Sequence, residues 1–592
     1  MKSTLPVFLL LICQAVVSAQ VPEIIWQLNV GGDSWDELRS MEETADGGII
    51  TGGFSYSGIS GDKTEMNMGT VDFWIIKVDA FGAIEWQNTI GGDAADQCYF
   101  IQQTPDLGYI CGGWSKSDVS YDKTVPTFGG RDCWLLKLDP SGDIEWQKAY
   151  GGSEDDYLFA FDNTADGGYV LGCFTASGAT GNKTEPNYGN MDYWIIKIDS
   201  LGNIEWQNAL EGYGDDRLHG IQQTADGGYI VGGTTDSPMG GDKSEDVFGE
   251  EDYWVVKLDA SGNIEWDNNI GGVSEDEQFS IIQTIDGGYF LGGFSTSPVS
   301  GDKTEPAWGA QDYWAVKLSA AGEIEWQNNI GGASGDRLEY VLQDPAGYYF
   351  LGGSSLSEND GDKEMVSYGL WDFWAIQLNE SGDIDWQLSI GGDGDDVVRG
   401  INQTRDGGVV IGGQSSSGIS GNKTVPNQGG YDFYLVKLGC TATGFFEDAD
   451  GDGYGNPDRP SLNCNGLPGF VADNTDCDDT NMDIHPGMPE LENGLDDDCN
   501  NLVDDVAVAI TDRNSSIHIY PNPFQQFIQI AMDAGGNRPH HIFLTNAHGQ
   551  LCNTWRVDGA TMLLDTEGLA PGIYYLNWVG DQSAGCTMLI HQ

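Results

Sequence analysis

Basic residues are scarce in this chain of 592 residues: 26 Lys and Arg stand against 92 Asp and Glu, which gives a formal net charge of −66. Such a surface repels nucleic-acid phosphates, so DNA and RNA are excluded as partners. Histidine is rare, with 7 residues, and 20 prolines stand against 85 glycines. With 39% hydrophobic residues, this composition indicates a turn-rich globular protein and excludes the disordered and collagen-like classes.

Long hydrophobic runs are missing, apart from one near the N-terminus. The run 5–17 follows Lys2 and precedes small residues at 17–19, so we predict that residues 1–19 are a secretory signal peptide. The run is shorter than the ~20 residues of a membrane-spanning helix, and we expect no transmembrane span. Of the 11 cysteines, Cys13 lies in this peptide, and the others could form disulfides whose pairing the sequence does not define.

A sixty-residue repeat fills positions 20–440. Each unit predicts four short strands, illustrated by 252–258, 264–270, 279–284 and 289–294, and helical periodicity is absent. We therefore predict an all-β fold with a seven-bladed β-propeller, and an open solenoid is the alternative. The register is marked by tryptophans that recur at a constant sixty-residue step: Trp26, Trp86, Trp146, Trp206, Trp266, Trp326 and Trp386.

The order of the strands predicts how the ring closes. The chain enters on the strand 24–28 and leaves the repeats on its hairpin partner, 431–438, so these two strands should pair and remove an exposed sheet edge. The motif read at 226–233 and 252–266 resembles the sixty-residue propeller repeats of exported bacterial and archaeal proteins. That resemblance is specific for the fold and says little about activity.

Two charged positions recur in every repeat on the face that carries the long loops. We expect them to meet as ion pairs or as loop-tethering hydrogen bonds. A single active site would break the sevenfold pattern, so a structural role is favoured over catalysis. The aspartates are Asp36, Asp96, Asp156, Asp216, Asp276, Asp336 and Asp396, and the lysines are Lys63, Lys123, Lys183, Lys243, Lys303, Lys363 and Lys423.

Five of the seven long loops carry an aromatic residue just before a glycine. These rings are candidates to stack on sugars or to hold a peptide, whereas the alternative is that each ring packs on its own blade. The five candidates are Phe128, Tyr188, Phe248, Trp308 and Tyr368.

Residues for catalysis are few in the repeats. His219 is the only histidine there, and no nucleophile stands at a spacing that would pair with it. Acidic pairs such as Asp155-Asp156 could serve a glycosidase, but they recur in several repeats, which favours structure or cation binding. We therefore expect a protein that is not an enzyme.

Residues 441–505 form an acidic segment with 17 Asp and Glu against one Arg. Oxygen-bearing residues alternate from 448 to 456, with Gly453 at the sharp turn, as in a Ca²⁺ loop. An EF-hand has Glu at the twelfth position, where this chain has Arg459, so Asp458 or a later carboxylate must complete the shell. The candidate ligands are Asp448, Asp450, Asp452, Tyr454, Asn456, Asp458, Asp476, Asp478 and Asp479.

Three stretches, 476–480, 485–490 and 493–500, resemble the MopE-type metal-binding motif of exported bacterial proteins. Glu492 replaces a cysteine that is usual in that pattern, which leaves Cys499 to find another partner, with Cys440 as an option. The family label mentions copper, but hard carboxylate oxygens prefer Ca²⁺ and the only nearby imidazole is His485. We expect Ca²⁺ and regard copper as unlikely; a solvated acidic spacer is the alternative.

Strand-like sequence returns in residues 517–592, after a predicted linker at 506–516. The segments 517–524 and 569–576 resemble the type A C-terminal sorting domain of the type IX secretion system of Bacteroidota. The resemblance implies an immunoglobulin-like sandwich, the type IX machinery as a partner, and a protein that is attached to the cell surface or released.

These features together predict a secreted or cell-surface binding or adhesion protein, monomeric, with a calcium-stabilised stalk. A glycan or a protein would bind the loop-rich face. One alternative is a carbohydrate-active hydrolase or lyase, which would require a cluster of carboxylates and aromatic residues in one repeat that the other repeats lack. The other is a structural surface-layer component.

Overall fold

A computed structural model describes residues 21–439, 445–461, 469–488, 491, 493–500 and 503, and the segments 517–520, 527–532, 541–546, 551–557, 561–566, 569, 572–579 and 584–591. The predicted signal peptide and linker lie outside the described residues. The chain divides into two compact units, one made of residues 1–489 and 495–503, the other of 490–494 and 504–592.

Seven four-stranded antiparallel sheets fill residues 23–439, and the described residues contain no helix. Each sheet holds one sixty-residue step, so the structure is a β-propeller-like repeat fold. In chain order the first six sheets are β2–β5 (Asp36–Glu43, Ile49–Ser55, Asp72–Val78, Ile84–Ile90), β6–β9 (Asp96–Gln103, Tyr109–Ser115, Asp132–Leu138, Ile144–Tyr150), β10–β13 (Asp156–Asn163, Tyr169–Thr175, Asp192–Ile198, Ile204–Leu210), β14–β17 (Asp216–Gln223, Tyr229–Thr235, Asp252–Leu258, Ile264–Ile270), β18–β21 (Asp276–Gln283, Tyr289–Ser295, Asp312–Leu318, Ile324–Ile330) and β22–β25 (Asp336–Gln343, Tyr349–Ser355, Asp372–Leu378, Ile384–Ile390).

The seventh sheet joins the two ends of the repeat region, as the strand order predicts. It consists of β26 (Asp396–Gln403), β27 (Val409–Ser415), β28 (Asp432–Gly439) and β1 (Glu23–Val30). Strand β1 runs antiparallel to β28, from the pair Glu23 and Gly439 to the pair Val30 and Phe433. The first strand of each sheet also contacts the first strand of the next, and β26 contacts β2, so the sheets follow one another around a closed circle.

The hydrophobic core lies between neighbouring sheets. A fully buried tryptophan in the third strand of most sheets packs against an aromatic ring of the preceding sheet, as Trp254 does with Tyr193 at 4.8 Å between ring centroids. The Tyr193 hydroxyl also donates to the backbone oxygen of Trp254. Near the outer edge, a turn glycine contacts the half-buried tryptophan of the preceding sheet: Gly142, at φ +87°, adjoins Trp86. These contacts are between repeats, which explains why one repeat needs its neighbours.

The acidic segment packs on the face of tight turns. Its small sheet contains β29 (Phe445–Glu447), β30 (Pro460–Ser461) and β31 (Phe470–Val471). Gln403, at the end of β26, donates to the backbone oxygen of Pro460, and Ser461 donates to Asp344, which follows β22. Most of the segment, residues 441–489 and 495–503, therefore belongs to the same compact unit as the sheets, although the sequence suggests a boundary at residue 440.

The second unit contains two sheets. One holds β32 (Ile517–Tyr520), β33 (Phe527–Met532) and β36 (Thr561–Asp565), and the other holds β34 (His541–Asn546), β35 (Leu551–Arg556), β37 (Gly572–Val579) and β38 (Ala584–His591). Both sheets contribute to one buried cluster, with Ile528 and Leu564 from the first and Leu544 and Leu576 from the second. The immunoglobulin-like topology stays a prediction.

Removing residues 21–30 should destabilise the ring, because β28 would lose one of its two neighbouring strands, and Asp432 and Lys423 would lose their hydrogen bonds with Asn29. We expect the thermal midpoint of the ring to fall by more than about 10 °C. A synthetic peptide of residues 21–32 added in trans should restore part of the loss, and a scrambled peptide is the control. A truncated protein that melts at the wild-type temperature would contradict ring closure through β1.

Candidate functional site

A β-bulge in the first strand of every sheet places one variable residue at the axis of the ring. The register shifts by one residue in these strands, in β2 between Leu38 and Ser40. The same shift recurs in the other six sheets. The residues left unpaired all line a single cavity of about 230 Å³: Arg39, Tyr99, Phe159, His219, Phe279, Glu339 and Arg399.

Half of this axial ring is aromatic. Ring centroids lie 4.3 Å apart for Tyr99 and Phe159, 6.0 Å for Phe159 and His219, and 5.2 Å for His219 and Phe279. Burial lowers the pKa of His219 to about 4, so the imidazole is neutral at physiological pH, and its Nδ1 lies 2.7 Å from the Gln278 carbonyl oxygen. His219 is thus a neutral residue that has a hydrogen-bonding partner.

The other half is ionic. Arg399 Nη1 lies 3.0 Å from Glu339 Oε1, and Arg399 also approaches Glu37, which pairs with Arg39. The Arg39 guanidinium lies 4.8 Å from the centroid of the Tyr99 ring and so connects the ionic half to the aromatic half.

A second cavity of about 240 Å³ opens beside the first and shares Arg337, Glu339 and Arg399 with it. Trp371, Asp395 and Tyr431 line its other side. The Tyr431 hydroxyl donates to Asp395 Oδ2 at 2.7 Å, and the Tyr431 ring lies 5.0 Å from Trp35. These residues come from the loop-rich ends of the sixth and seventh repeats and the chain start.

The five aromatic residues predicted as ligand contacts are not among the residues that line these two cavities. Each stands in its own loop, and the ring of Phe248 adjoins Gly301 in the loop of the next repeat. Phe128, Tyr188, Phe248 and Trp308 are 41–56% exposed. Their role in binding stays a prediction.

The recurring aspartates and lysines are buried in all seven repeats, and they tether loops. Asp36 Oδ2 accepts bonds from the Gly32 amide and the Ser57 hydroxyl, a pair that recurs at five of the other aspartates. Lys243 donates to the Asn269 side chain and the Glu245 backbone. Within the described repeats, the two series form no ion pair within 4 Å of each other, because the lysines reach neutral oxygens instead.

A second buried aspartate, which the sequence analysis does not single out as a site residue, fastens each long loop. Asp72 accepts a bond from the backbone amide of Met68. The corresponding pairs recur in every repeat, and the aspartates are Asp132, Asp192, Asp252, Asp312, Asp372 and Asp432. The signal for this role was the Asp found two positions before each buried tryptophan or Tyr434.

In the acidic segment, carboxylates from two stretches converge. Ligand oxygens of Asp450, Asp452 and Asp476 all lie within 4.8 Å of one another, and a second group contains Asp448, Asp450 and Asp479. Asp450 Oδ2, Asp452 Oδ2 and Asp476 Oδ2 are buried without a hydrogen-bond partner, and Asp476 is 2% exposed. Unpaired buried carboxylate oxygens are costly unless a cation or proton neutralises them, so this donor set fits a hard metal ion.

Several of the other predicted ligands accept hydrogen bonds from within the segment. Both oxygens of Asp448 accept backbone amides, from Gly451 and Gly453, and Asn456 Oδ1 accepts the amide of Asp458. Asp478 Oδ1 accepts the Thr480 hydroxyl. The Tyr454 ring stacks on His485 at 4.8 Å, which connects the loop to the later stretch.

Among the residues of this segment that the structure describes, Cys477 and Cys499 form a disulfide, with 5.5 Å between their Cα atoms. The suggestion that Cys499 pairs with Cys440 is therefore wrong. Cys477 and Cys499 are separated by 22 positions in the sequence but are bonded in the structure. The family pattern did not predict this pairing, because one of its usual cysteines is missing from this chain. Cys440 itself lies outside the described residues.

Two family models match the C-terminal part of the chain. Residues 476–505 match the model Cu-binding_MopE, described as "Putative metal-binding motif", and residues 518–591 match the model described as "Secretion system C-terminal sorting domain". The chain ends in a type IX sorting domain. The protein is therefore exported to the cell surface or the extracellular space, with the secretion machinery as its partner. The first model is named for copper binding, which counts against our expectation that copper is unlikely.

Similarity elsewhere is distant. The regulatory protein FlaEY of Caulobacter vibrioides is 22% identical over 395 residues, which are 60% of this chain and 41% of that protein. An apocarotenoid oxygenase variant from Synechocystis is 13% identical, with a TM-score of 0.32 over 70% of this chain and 97% of that one. A member of the duf4221 family from Bacteroides vulgatus is 10% identical, with a TM-score of 0.29 over 71% and 98% of the two chains. TM-scores of this size support no argument about activity.

No helix among the described residues has the length and apolar character needed to cross a bilayer.

The loop-fastening aspartates predict how stability depends on pH. Burial raises the pKa of Asp72, Asp132, Asp252, Asp372 and Asp432 to about 6. The folded protein therefore binds more protons than the unfolded chain between pH ~4 and ~6, and these groups favour folding at low pH and lose that contribution as pH rises through 6. We expect a higher thermal midpoint at pH 5 than at pH 7.5, measured in EDTA.

The variant Asp252→Asn should keep the loop and reduce this pH dependence, since it removes one titrating group. The reduction should be partial, because burial also raises the pKa of other carboxyl groups, such as Asp216 to about 7 and Asp162 to about 6. Asp259→Asn, in an exposed turn, is the matched control. Carboxylates with a lowered pKa, such as Asp226 at about 2, titrate below this window. A thermal midpoint of the wild type that is lower at pH 5 than at pH 7.5 would contradict the assignment of a raised pKa to these aspartates.

Proposed function

We propose that this protein is an exported binding module, a seven-bladed β-propeller that binds a glycan at the axial end of its loop-rich face. One observation carries the proposal. The loop-tethering positions hold the same residue type in every repeat, whereas the seven bulge positions hold Arg, Tyr, Phe, His, Phe, Glu and Arg around one cavity. Function needs an asymmetric site, and this is where the symmetry breaks.

The chemistry of the axial cavities suits a hydroxyl-rich ligand. Tyr99, Phe159 and Trp371 offer ring faces on which a sugar can stack. Arginine and carboxylate groups alternate beside them, and Arg39, Arg337 and Arg399 each have an acidic partner. Paired charges supply hydrogen-bond donors and acceptors without a large net charge, which favours a neutral glycan over a strongly anionic ligand.

One specific observation favours a second candidate, a carbohydrate-active hydrolase or lyase. Glu339 and Asp395 both line the second cavity, next to Trp371 and Tyr431, and this set of carboxylates and aromatic residues is confined to one side of the ring. Two carboxylates are the minimum for glycoside hydrolysis. Arg399 Nη1 lies 3.0 Å from Glu339, however, and the Tyr431 hydroxyl donates to Asp395, so both carboxylates are already engaged by partners within the protein.

We expect a glycan array probed with the full chain to give selective binding. Trp371→Ala should lower the affinity for the selected glycan at least about fivefold, because a stacking ring contributes about 1 kcal/mol or more. Trp308→Ala removes an exposed ring from a neighbouring loop and is the matched control, expected within about twofold of wild type.

Loss of binding in Trp308→Ala with none in Trp371→Ala would move the site to the loop aromatics. Release of reducing ends from the bound glycan, abolished by Glu339→Gln or Asp395→Asn, would establish the hydrolase instead. Absence of binding to any glycan, with the protein folded, would overturn the proposal.

For the acidic segment we propose Ca²⁺ as the bound ion, held by Asp450, Asp452 and Asp476. The converging donors are carboxylate oxygens, which suit a hard cation, whereas copper prefers imidazole or sulfur. His485 is engaged with Tyr454 and is not in either acidic group. The ion would connect the 448–456 loop to the 476–505 motif and so stabilise the base of the ring.

Calorimetric titration should test this site. We expect Asp450→Asn combined with Asp476→Asn to weaken Ca²⁺ binding at least about tenfold and to make residues 441–505 sensitive to protease in the presence of Ca²⁺. Asp458→Asn is the control, because Asp458 is in neither group. Tighter binding of Cu²⁺ than of Ca²⁺ by the wild type would contradict the choice of metal.

A further inference from the structure

Each sheet of the ring fits against the next through an aromatic ring and a glycine. At four junctions a Cβ built on the glycine would lie 2.5–2.7 Å from ring atoms of the preceding sheet: Gly53 with Phe433, Gly233 with Tyr193, Gly293 with Tyr253 and Gly353 with Tyr313. The glycine is needed because a side chain there would displace the ring. At two further junctions the residue types are the same, with Phe73 before Gly113 and Phe373 before Gly413.

The junction between the second and third sheets departs from this rule at both positions at once. Cys133 in β8 takes the place of the aromatic residue, and Cys173 in β11 takes the place of the glycine. Their sulfur atoms lie 3.4 Å apart, and both residues are fully buried. These two residue replacements depend on each other. Cysteine in place of the aromatic residue alone would leave a void, and cysteine in place of the glycine alone would clash with the ring.

Packing at this junction does not itself require sulfur. Tyr150, at a position that is aliphatic in the other six repeats, joins the same buried cluster as both cysteines, and its hydroxyl donates to the Gly202 carbonyl oxygen at 2.8 Å. An aromatic ring is thus supplied from a neighbouring strand. Small apolar residues at 133 and 173 would then suffice for packing, and the paired thiols call for another explanation.

We propose that Cys133 and Cys173 form a disulfide that joins the second sheet to the third in the exported protein. The two thiols lose two protons and two electrons and gain one S–S bond, and the electrons reduce the disulfide of a thiol–disulfide oxidoreductase to a dithiol. Export to an oxidising compartment follows from the sorting domain, and proteins in such compartments retain disulfides. The sulfurs need to approach by little more than about 1 Å to reach bonding distance.

The buried position sets when the bond can form. Both cysteines are fully buried once the sheets have packed, so exchange with an oxidoreductase must precede closure of this junction. The neighbouring thiols of Cys98 and Cys111 lie in adjacent strands of one sheet, and Cys98 donates to the Phe100 carbonyl oxygen. A bond there would not join two sheets, so the proposal concerns Cys133 and Cys173 alone.

The direct test is a disulfide map of the full chain after export. The protein is denatured in N-ethylmaleimide without reductant, digested, and analysed by mass spectrometry. We expect a linked pair of peptides containing Cys133 and Cys173, and N-ethylmaleimide on Cys98 and Cys111. Both Cys133 and Cys173 carrying N-ethylmaleimide in most molecules would overturn the proposal, as would a link from either one to another cysteine.

A second measurement uses the variant Cys133→Tyr with Cys173→Gly, which restores the residue pair of the other junctions and retains the fold if packing alone matters. Both proteins are unfolded in denaturant with or without dithiothreitol, so that the reductant reaches the junction, and are then refolded. Reduction should lower the thermal midpoint of the wild type by about 5 °C more than that of the variant. The Cys477–Cys499 bond is reduced in both proteins, so the difference reports the junction. Equal shifts in the two proteins would also overturn the proposal.

Discussion

The contact between neighbouring sheets is the constraint on which the rest of this structure depends. At most junctions a ring from one sheet lies against a buried tryptophan of the next and over a glycine that leaves room for it. The same two positions meet at every step around the closed circle, even where Cys133 and Cys173 replace the ring and the glycine, so a repeat that gained or lost a strand residue would move them apart. This requirement explains the constant sixty-residue step, and it also explains why β1 must return to β28: without that pairing the last sheet would have an open edge.

Symmetry of the scaffold and asymmetry of the site are reconciled by the bulge in each first strand. A bulged residue makes no ladder hydrogen bonds with its neighbour, so its side chain is free to vary without changing the pairing. At this single position per repeat the chain places rings on one side of the axis and ion pairs on the other. The loops, in contrast, are fastened in every repeat by a buried aspartate to the same backbone amide, and they offer less freedom at their base.

Features that repeat along the chain were predictable from the sequence, whereas those that depend on register or on contacts between repeats were not. The strand count, the pairing of β1 with β28 and the sorting domain followed from periodicity and motif. The axial site did not, because a bulge shifts register by one residue and turns residues such as Arg39 and Glu339 towards the axis. The recurring lysines were expected to meet the aspartates as ion pairs or as loop-tethering hydrogen bonds, whereas Lys243 donates to Asn269 and to a backbone oxygen. Cys477 was not predicted as the partner of Cys499, because the family pattern has a cysteine at the position of Glu492 and this chain does not.

The position of the acidic segment strengthens the case for the loop-rich face as the binding surface. Contacts from Gln403 and Asp344 to residues 460 and 461 fix this segment on the face of tight turns, and Asn474 lines a groove there with Trp26 and Arg405. A metal that connects the 448–456 loop to the later stretch would make this base rigid. The axial cavities open among residues such as Trp371 and Asp395, which precede the strands β24 and β26 and so lie at the opposite end of the sheets. The proposed binding site and the acidic segment therefore lie on different faces of the ring, and changes to the proposed metal ligands should leave the axial residues in place.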